Sequence, residues 1–88
     1  MNVESAVAPK IIFYTKPHCP LCDEALTILR NLQDQWRFEL SEVNILEDPA
    51  LYEKYQYDIP VAEWGGQEIF RHAVDAKAFR KALKGAKK

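Results

Sequence analysis

The two cysteines of the chain, Cys19 and Cys22, are separated by two residues within YTKPHCPLCDEAL, residues 14–26. A Cys-x-x-Cys pair can form a redox-active disulfide, supply half of a metal site, or pack in a core. This pair lies between a short apolar run and a segment with helical periodicity, and such a setting favours thiol chemistry. We therefore interpret the two cysteines as a redox pair.

The surrounding residues indicate a different role for each cysteine. Cys19 is expected at the start of a helix, beside unpaired backbone N–H groups and the positive end of the helix dipole, which favour the thiolate. Pro20 suits the first helical position because its φ is fixed and its missing N–H would have no intrahelical partner there. Cys22 is one turn further along, within disulfide range and more shielded. Cys19 is predicted to attack, and Cys22 to resolve the mixed disulfide.

The charged neighbours of the pair leave the acidity of the thiol open. Lys16 and His18 add positive charge before Cys19, whereas Asp23 and Glu24 add negative charge in the first helical turn. These contributions oppose each other, so the sequence alone does not set the thiol pKa.

A metal site is the main alternative for the same residues. His18, Cys19, Cys22 and His72 could nominally supply a Cys2His2 zinc set. Neighbours such as His18 and Cys19 rarely point at one ion, and the chain has no second Cys-x-x-Cys pair. An iron–sulfur cluster held between two subunits, or an adaptor whose cysteines have lost their redox role, also stays open.

The elements that must position the cysteines can be read from the apolar pattern. It predicts strands at 10–15, 37–45, 60–64 and 67–71, and helices at 20–36, from 49 to about 54, and after Asp75. The order β-α-β-α-β-β-α gives an α/β fold, with a mixed four-stranded sheet that has helices on both faces. Residues 1–9 are assigned to a flexible leader, and residues 10–88 to a single domain.

Local signals support several of these boundaries. Asp48 and Pro49 form a cap and a first helical position. Gly65-Gly66 tolerates the positive φ angles of a two-residue hairpin turn. Asp75 can cap the last helix, whose C-terminal half carries Lys81, Lys84 and Lys87.

Composition restricts the class of partner. The chain has 88 residues, with 12 basic and 13 acidic side chains, so no long-range field attracts nucleic acid or an anionic membrane. The first residues, MNVESAVAPK, lack the pattern of a secretory signal, and no apolar run could span a bilayer. We expect an intracellular protein of a reducing compartment, the cytoplasm.

The segments IIFYTKPHCPLCDEA, residues 11–25, and YDIPV, residues 57–61, resemble the glutaredoxin family, and more closely its small glutaredoxin-like branch. The resemblance extends over roughly residues 10–84. It implies a thioredoxin-like fold with Pro60 in the cis form facing the cysteines. It also implies that the Ile59 backbone pairs with the substrate near its sulfur, and that Lys16 belongs to the substrate site.

The chain departs from this family after the fourth predicted strand. Glutaredoxins usually carry a Gly-Gly pair there, followed by an Asp, which lets the γ-glutamyl group of glutathione approach the backbone. This sequence has Phe70, Arg71 and His72 instead, with Asp75 in reach of the family's acidic position. The side chains of Phe70 and Arg71 would narrow the groove unless they point away, although Arg71 could pair with a glutathione carboxylate. Poor use of free glutathione is therefore expected.

Together these observations predict a thiol–disulfide oxidoreductase with a role in electron transport and redox homeostasis. Its expected substrates are disulfide-containing proteins or small thiol compounds, and its electron donor is glutathione or a thioredoxin-reductase-type protein. We expect a monomer with no permanently bound cofactor and no metal, and with neither nucleic acid nor membrane as a partner.

Overall fold

The computed structural model describes the backbone of residues 8–86 and the side chains of residues 8–84. Most of the predicted leader, residues 1–7, and Lys87 lie outside the described residues. The elements follow the predicted order, with a short 3-10 turn, Ile45–Glu47, before the second helix. They are β1 (Lys10–Thr15), α1 (Pro20–Leu32), β2 (Glu39–Asn44), α2 (Pro49–Tyr55), β3 (Val61–Trp64), β4 (Gln67–Arg71) and α3 (Ala76–Ala86).

The four strands form one mixed sheet in the order β2-β1-β3-β4. β1 pairs in parallel with β2 and antiparallel with β3, and β3 pairs antiparallel with β4. β1 is therefore a central strand, which explains its apolar sequence. Pro9, assigned to the leader, already accepts a hydrogen bond from the Glu39 N–H at 2.8 Å.

The core has one cluster on each face of the sheet. Side chains alternate along β1, so Ile11 and Phe13 join the larger cluster whereas Tyr14 joins the smaller one. The larger cluster takes in residues from α1 and α3, and the smaller one contains Tyr55 of α2. The predicted α/β sheet with helices on both faces is confirmed.

Two details of the sequence pattern have a structural explanation. The apolar phase shift in β2 arises because Leu40 packs against the larger cluster and Val43 against the smaller one, on the opposite face. The prediction that α1 runs to residue 36 is wrong, since the helix ends at Leu32 and a turn follows. Trp36 continues the apolar period because its side chain packs against the larger cluster from this turn.

The predicted caps are present. The Asp48 side chain accepts a hydrogen bond from the Ala50 N–H at 2.9 Å, and Asp75 accepts one from the Ala78 N–H at 3.0 Å. Gly65 and Gly66 have φ angles of 60° and 83°, which suits a tight hairpin turn between β3 and β4. No helix within residues 8–86 has the length and apolar character needed to cross a bilayer.

Candidate active site

Cys19 is the N-cap residue of α1. Its backbone is extended, with φ −121° and ψ 97°, and its Sγ accepts a hydrogen bond from the Cys22 N–H at 3.2 Å. Pro20 occupies the first turn as predicted. A sulfur that receives a backbone N–H at the positive end of a helix is stabilised as a thiolate.

Cys22 differs from Cys19 in its exposure to solvent. Cys22 is 1% exposed and begins the buried stripe of α1, which continues with Ala25, Leu29 and Leu32. Burial of this stripe turns Cys22 toward the core and leaves Cys19 half-buried at the open end of the helix. The two residues are paired as a disulfide with a Cα–Cα distance of 5.2 Å, within the range that a disulfide requires.

The loop that leads from β1 to Cys19 contains a residue in the left-handed region. His18 is exposed and has a φ of 61°, a conformation that side chains with a Cβ adopt at a cost of about 1 kcal/mol. Lys16 is half-buried, and it lines a groove of about 310 Å³ with Cys22, Asp23 and Asn44 among others. Lys16 thus lies near Cys22, the cysteine predicted to resolve the mixed disulfide.

The segment before β3 lies at the same end of the sheet as the loop that leads to Cys19. Val61 pairs with Tyr14, the penultimate residue of β1, so the start of β3 adjoins the end of β1. The Ile59–Pro60 peptide bond is cis, as the family resemblance implied. The Ile59 N–H donates to the Tyr55 carbonyl at 3.2 Å, so this N–H already has a partner within the chain.

A polar network that could not be read from the sequence joins the end of β1, the end of α2 and strand β3. It lies next to the loop that leads to Cys19 and next to the loop that leads to Pro60. Glu63 of β3 accepts a hydrogen bond from the Tyr14 hydroxyl at 2.7 Å and one from the Tyr55 hydroxyl at 3.4 Å. The two rings stack with centroids 4.4 Å apart. Burial, and next the hydrogen bond to Glu63, raise the pKa of Tyr14 above its ordinary value. Because Glu63 lies between residues far apart in sequence, only their convergence in the fold reveals the network.

The residues that replace the family's Gly-Gly pair point in opposite directions. Phe70 is 5% exposed and its ring packs 6.5 Å from that of Phe79, so Phe70 cannot narrow a surface groove. Arg71 is exposed, but its guanidinium is paired with two carboxylates, those of Glu68 and Asp58. The Arg71 hydrogen bonds lower the pKa of the Glu68 carboxyl. The steric argument from Phe70 therefore does not apply, whereas Arg71 is already occupied by partners within the chain.

His72, which follows Arg71, has a backbone in the left-handed region that glycine usually occupies. Its φ is 73°, and its N–H donates to the carbonyls of Asp58 at 3.0 Å and Pro60 at 2.9 Å. In the described part of the chain, His18 and His72 are the two non-glycine residues with positive φ, and both adjoin the candidate site. The sequence signalled only that a glycine was missing, because the φ of a histidine cannot be read from its position.

The residues of the nominal zinc set are not gathered around one point. His72 Nε2 lies 3.8 Å from an Asp58 oxygen. Among the residues that the structure describes, no group of three or more His, Cys, Asp or Glu side chains is arranged to hold a metal ion. Asp75, predicted as part of the substrate site, uses a carboxylate oxygen to cap α3.

Comparisons with known proteins bear on the family and the fold of the chain. The family model described as Glutaredoxin-like domain (DUF836) matches residues 10–84. The fold is similar to the solution structure of protein Ne2328 from Nitrosomonas europaea, with 28% identity, a TM-score of 0.80, and coverage of 94% of this chain and 96% of that one. It is also similar to thioredoxin 1 from Thermosipho africanus, with 17% identity, a TM-score of 0.61, and coverage of 90% and 99%. The second likeness concerns the fold alone.

Proposed function

The chain belongs to the glutaredoxin-like domain family, and from this premise we propose that it is a thiol–disulfide oxidoreductase. The observation that carries the proposal is the contrast within the pair. Cys19 is a half-buried N-cap whose sulfur receives a backbone N–H, whereas Cys22 is buried one turn behind it. A nucleophile and a resolving thiol need this difference in access.

The proposed reaction proceeds by two thiol–disulfide exchanges. The Cys19 thiolate attacks one sulfur of a substrate disulfide, a mixed disulfide forms, and the other substrate sulfur leaves as a thiolate. The Cys22 thiolate then attacks Cys19 Sγ, which forms the intramolecular disulfide and releases the second substrate thiol. Two electrons pass from the cysteine pair to the substrate, and a dithiol donor or two thiols must restore the reduced pair.

The structure also supports separate surroundings for the two sulfurs. The loop that leads to Cys19 follows β1, and the loop 58–60 precedes β3 at the same end of the sheet, where the substrate backbone would meet Ile59. Lys16 lies on the groove beside Cys22, where it can interact with an acidic group of the substrate.

Substrate, donor and compartment form part of the same proposal. We favour protein disulfides as substrates, with glutathione or a thioredoxin-reductase-type protein as the donor and no permanently bound cofactor. A monomer suffices, because both cysteines belong to one helix start. The reaction requires a reducing compartment such as the cytoplasm, where the pair is returned to the dithiol.

The test uses the natural protein, Cys19→Ser and Cys22→Ser, each reduced and mixed with a peptide that contains one disulfide. The natural protein should reduce the peptide, and mass spectrometry should then find a Cys19–Cys22 disulfide. Cys22→Ser should accumulate a mixed disulfide with the peptide, while Cys19→Ser should form none. Faster alkylation of Cys22 than of Cys19 would reverse the roles. No exchange by the natural protein would reject the proposal in favour of an adaptor without redox activity, and a coloured cluster in freshly purified protein would reject it in favour of a metal-binding module.

A further inference from the structure

The segment 58–60, which contains the cis bond, is held at its backbone from two sides. The Tyr55 carbonyl at the end of α2 accepts hydrogen bonds from the N–H groups of Asp58 at 2.8 Å and Ile59 at 3.2 Å. From the end of β4, the His72 N–H reaches the carbonyls of Asp58 and Pro60. The positive φ of His72 accompanies this double contact. The segment is thus fixed at its first and last residues.

The side chain of Arg71 adds a third attachment, to the carboxylate of Asp58. Arg71 pairs with Val61 across β3 and β4, so it lies opposite the residue that follows Pro60. From there Nη1 reaches Asp58 Oδ2 at 3.1 Å. Asp58 is the better shielded partner, with a side chain 25% exposed against 45% for Arg71. Arg71 and His72 therefore converge on the same loop residue, one through its side chain and one through its backbone.

Glu68 fixes the direction of the guanidinium. Its two oxygens accept hydrogen bonds from Arg71 Nε at 2.7 Å and Nη2 at 2.5 Å, which is a forked pair. With Nε and Nη2 engaged by Glu68 on the same strand, Nη1 is directed to Asp58. Arg71 thus connects Glu68 of β4 to Asp58 of the loop through one guanidinium.

We propose that Arg71 is a positioning residue, which through Asp58 holds segment 58–60 in the form that receives the polypeptide around a substrate disulfide. The inference rests on the proposed function, since that function gives the segment a substrate to receive. Arg71 acts here on the protein's own loop, with both of its partners in the chain. It is then not a receptor for a glutathione carboxylate, since Asp58 and Glu68 supply two negative charges to its one positive charge.

The activity test compares Asp58→Asn, Arg71→Gln and Arg71→Lys with the matched control Arg80→Gln, which makes the same substitution at an exposed arginine of α3. Each reduced protein is mixed with excess of an uncharged disulfide peptide, and its single-turnover oxidation is followed. Asp58→Asn and Arg71→Gln should raise the half-saturating peptide concentration roughly two- to fivefold, the size of one partly exposed ion pair. The maximal rate and the rate of Cys19 alkylation by iodoacetamide should stay unchanged.

Arg71→Lys should recover part of the loss, and Arg80→Gln should bind the peptide nearly as the natural protein does. The double variant Asp58→Asn/Arg71→Gln should be no weaker than either single variant, because each change breaks the same pair. Equal half-saturation in all variants, or effects of the two changes that multiply, would overturn the proposal. A parallel loss in alkylation rate would also overturn it, since the effect would then arise at the thiol.

A second measurement does not depend on activity. Amide hydrogen exchange at Ile59 and His72 reports whether the loop opens, and it should be faster in Asp58→Asn and Arg71→Gln than in Arg80→Gln. If the natural protein reduces no peptide, the proposed function fails while the exchange comparison still decides whether Arg71 positions the loop. Unchanged exchange in both variants would reject that role.

Discussion

Replacement of Tyr14 by phenylalanine tests the network that anchors both site loops. The change removes one hydroxyl, which donates to Glu63 at 2.7 Å, and leaves the ring stacked on Tyr55. A hydrogen bond to a charged group contributes about 1.5–3 kcal/mol to the free energy of unfolding, and the lower end applies because Glu63 is only half-buried. We expect a loss of about 1.5 kcal/mol, or a Tm lower by roughly 6–12 °C in a domain of this size.

The same variant should change the response of stability to alkaline pH. The ordinary pKa of a tyrosine is 10.0, and that of Tyr14 is raised in the folded protein, first by burial and then by Glu63. The unfolded chain therefore loses this proton at a lower pH than the folded chain does. The contribution of Tyr14 to stability is complete below pH 10 and declines as the pH rises above that value toward the folded pKa. Tyr14→Phe should lack this part of the decline.

The assay is denaturant unfolding at pH 7 and at a series of values above pH 10, with Tyr57→Phe as the control. Tyr57 is 83% exposed, so its variant should match the natural protein at pH 7. Absorbance titration of phenolate should show that Tyr14→Phe removes a group that ionises late in the folded state. Equal stability of Tyr14→Phe and the natural protein, with the same alkaline decline, would refute the reasoning.

Three further predictions concern the residues around the site. His72→Gly should leave the free energy of unfolding unchanged or raise it by up to about 1 kcal/mol, whereas His72→Val should lower it by about 1–2 kcal/mol, because the φ of His72 is 73°. A lower Tm of the glycine variant than of the natural protein would contradict this prediction. The natural protein should reduce a glutathione mixed disulfide poorly, and Glu68→Gln, which weakens the paired hydrogen bonds between Glu68 and Arg71, should lower the KM for that mixed disulfide about two- to threefold. High activity of the natural protein would show that the pairing of Arg71 with Glu68 and Asp58 does not restrict the use of glutathione. Asp75→Ala should lower the free energy of unfolding by about 1 kcal/mol through the lost cap, while Asp75→Asn should keep the cap. A KM raised in both variants would identify the charge as part of the substrate site, and equal stability of Asp75→Ala and the natural protein would contradict the capping role.

Residues whose effect extends only a few positions along the chain could be interpreted from the amino-acid sequence. Cys19 and Pro20 mark the start of α1, Asp48 and Asp75 cap the following helices, and the glycine pair turns the hairpin. These signals depend on backbone N–H groups, fixed φ angles and the helical period, all of which are local. The resemblance to glutaredoxins added the cis form of the Ile59–Pro60 bond, which local signals alone do not specify.

The amino-acid sequence by itself therefore determined the order of the elements, the α/β class and the different exposure of the two cysteines. Only the tertiary structure decided that Phe70 packs in the core, that Arg71 binds Asp58, and that Glu63 joins Tyr14 to Tyr55. These contacts connect residues of different strands and loops, so they depend on sheet register and on which face each strand buries. A side chain at the end of a strand has several charged neighbours in sequence, and the fold selects the one that it meets in space.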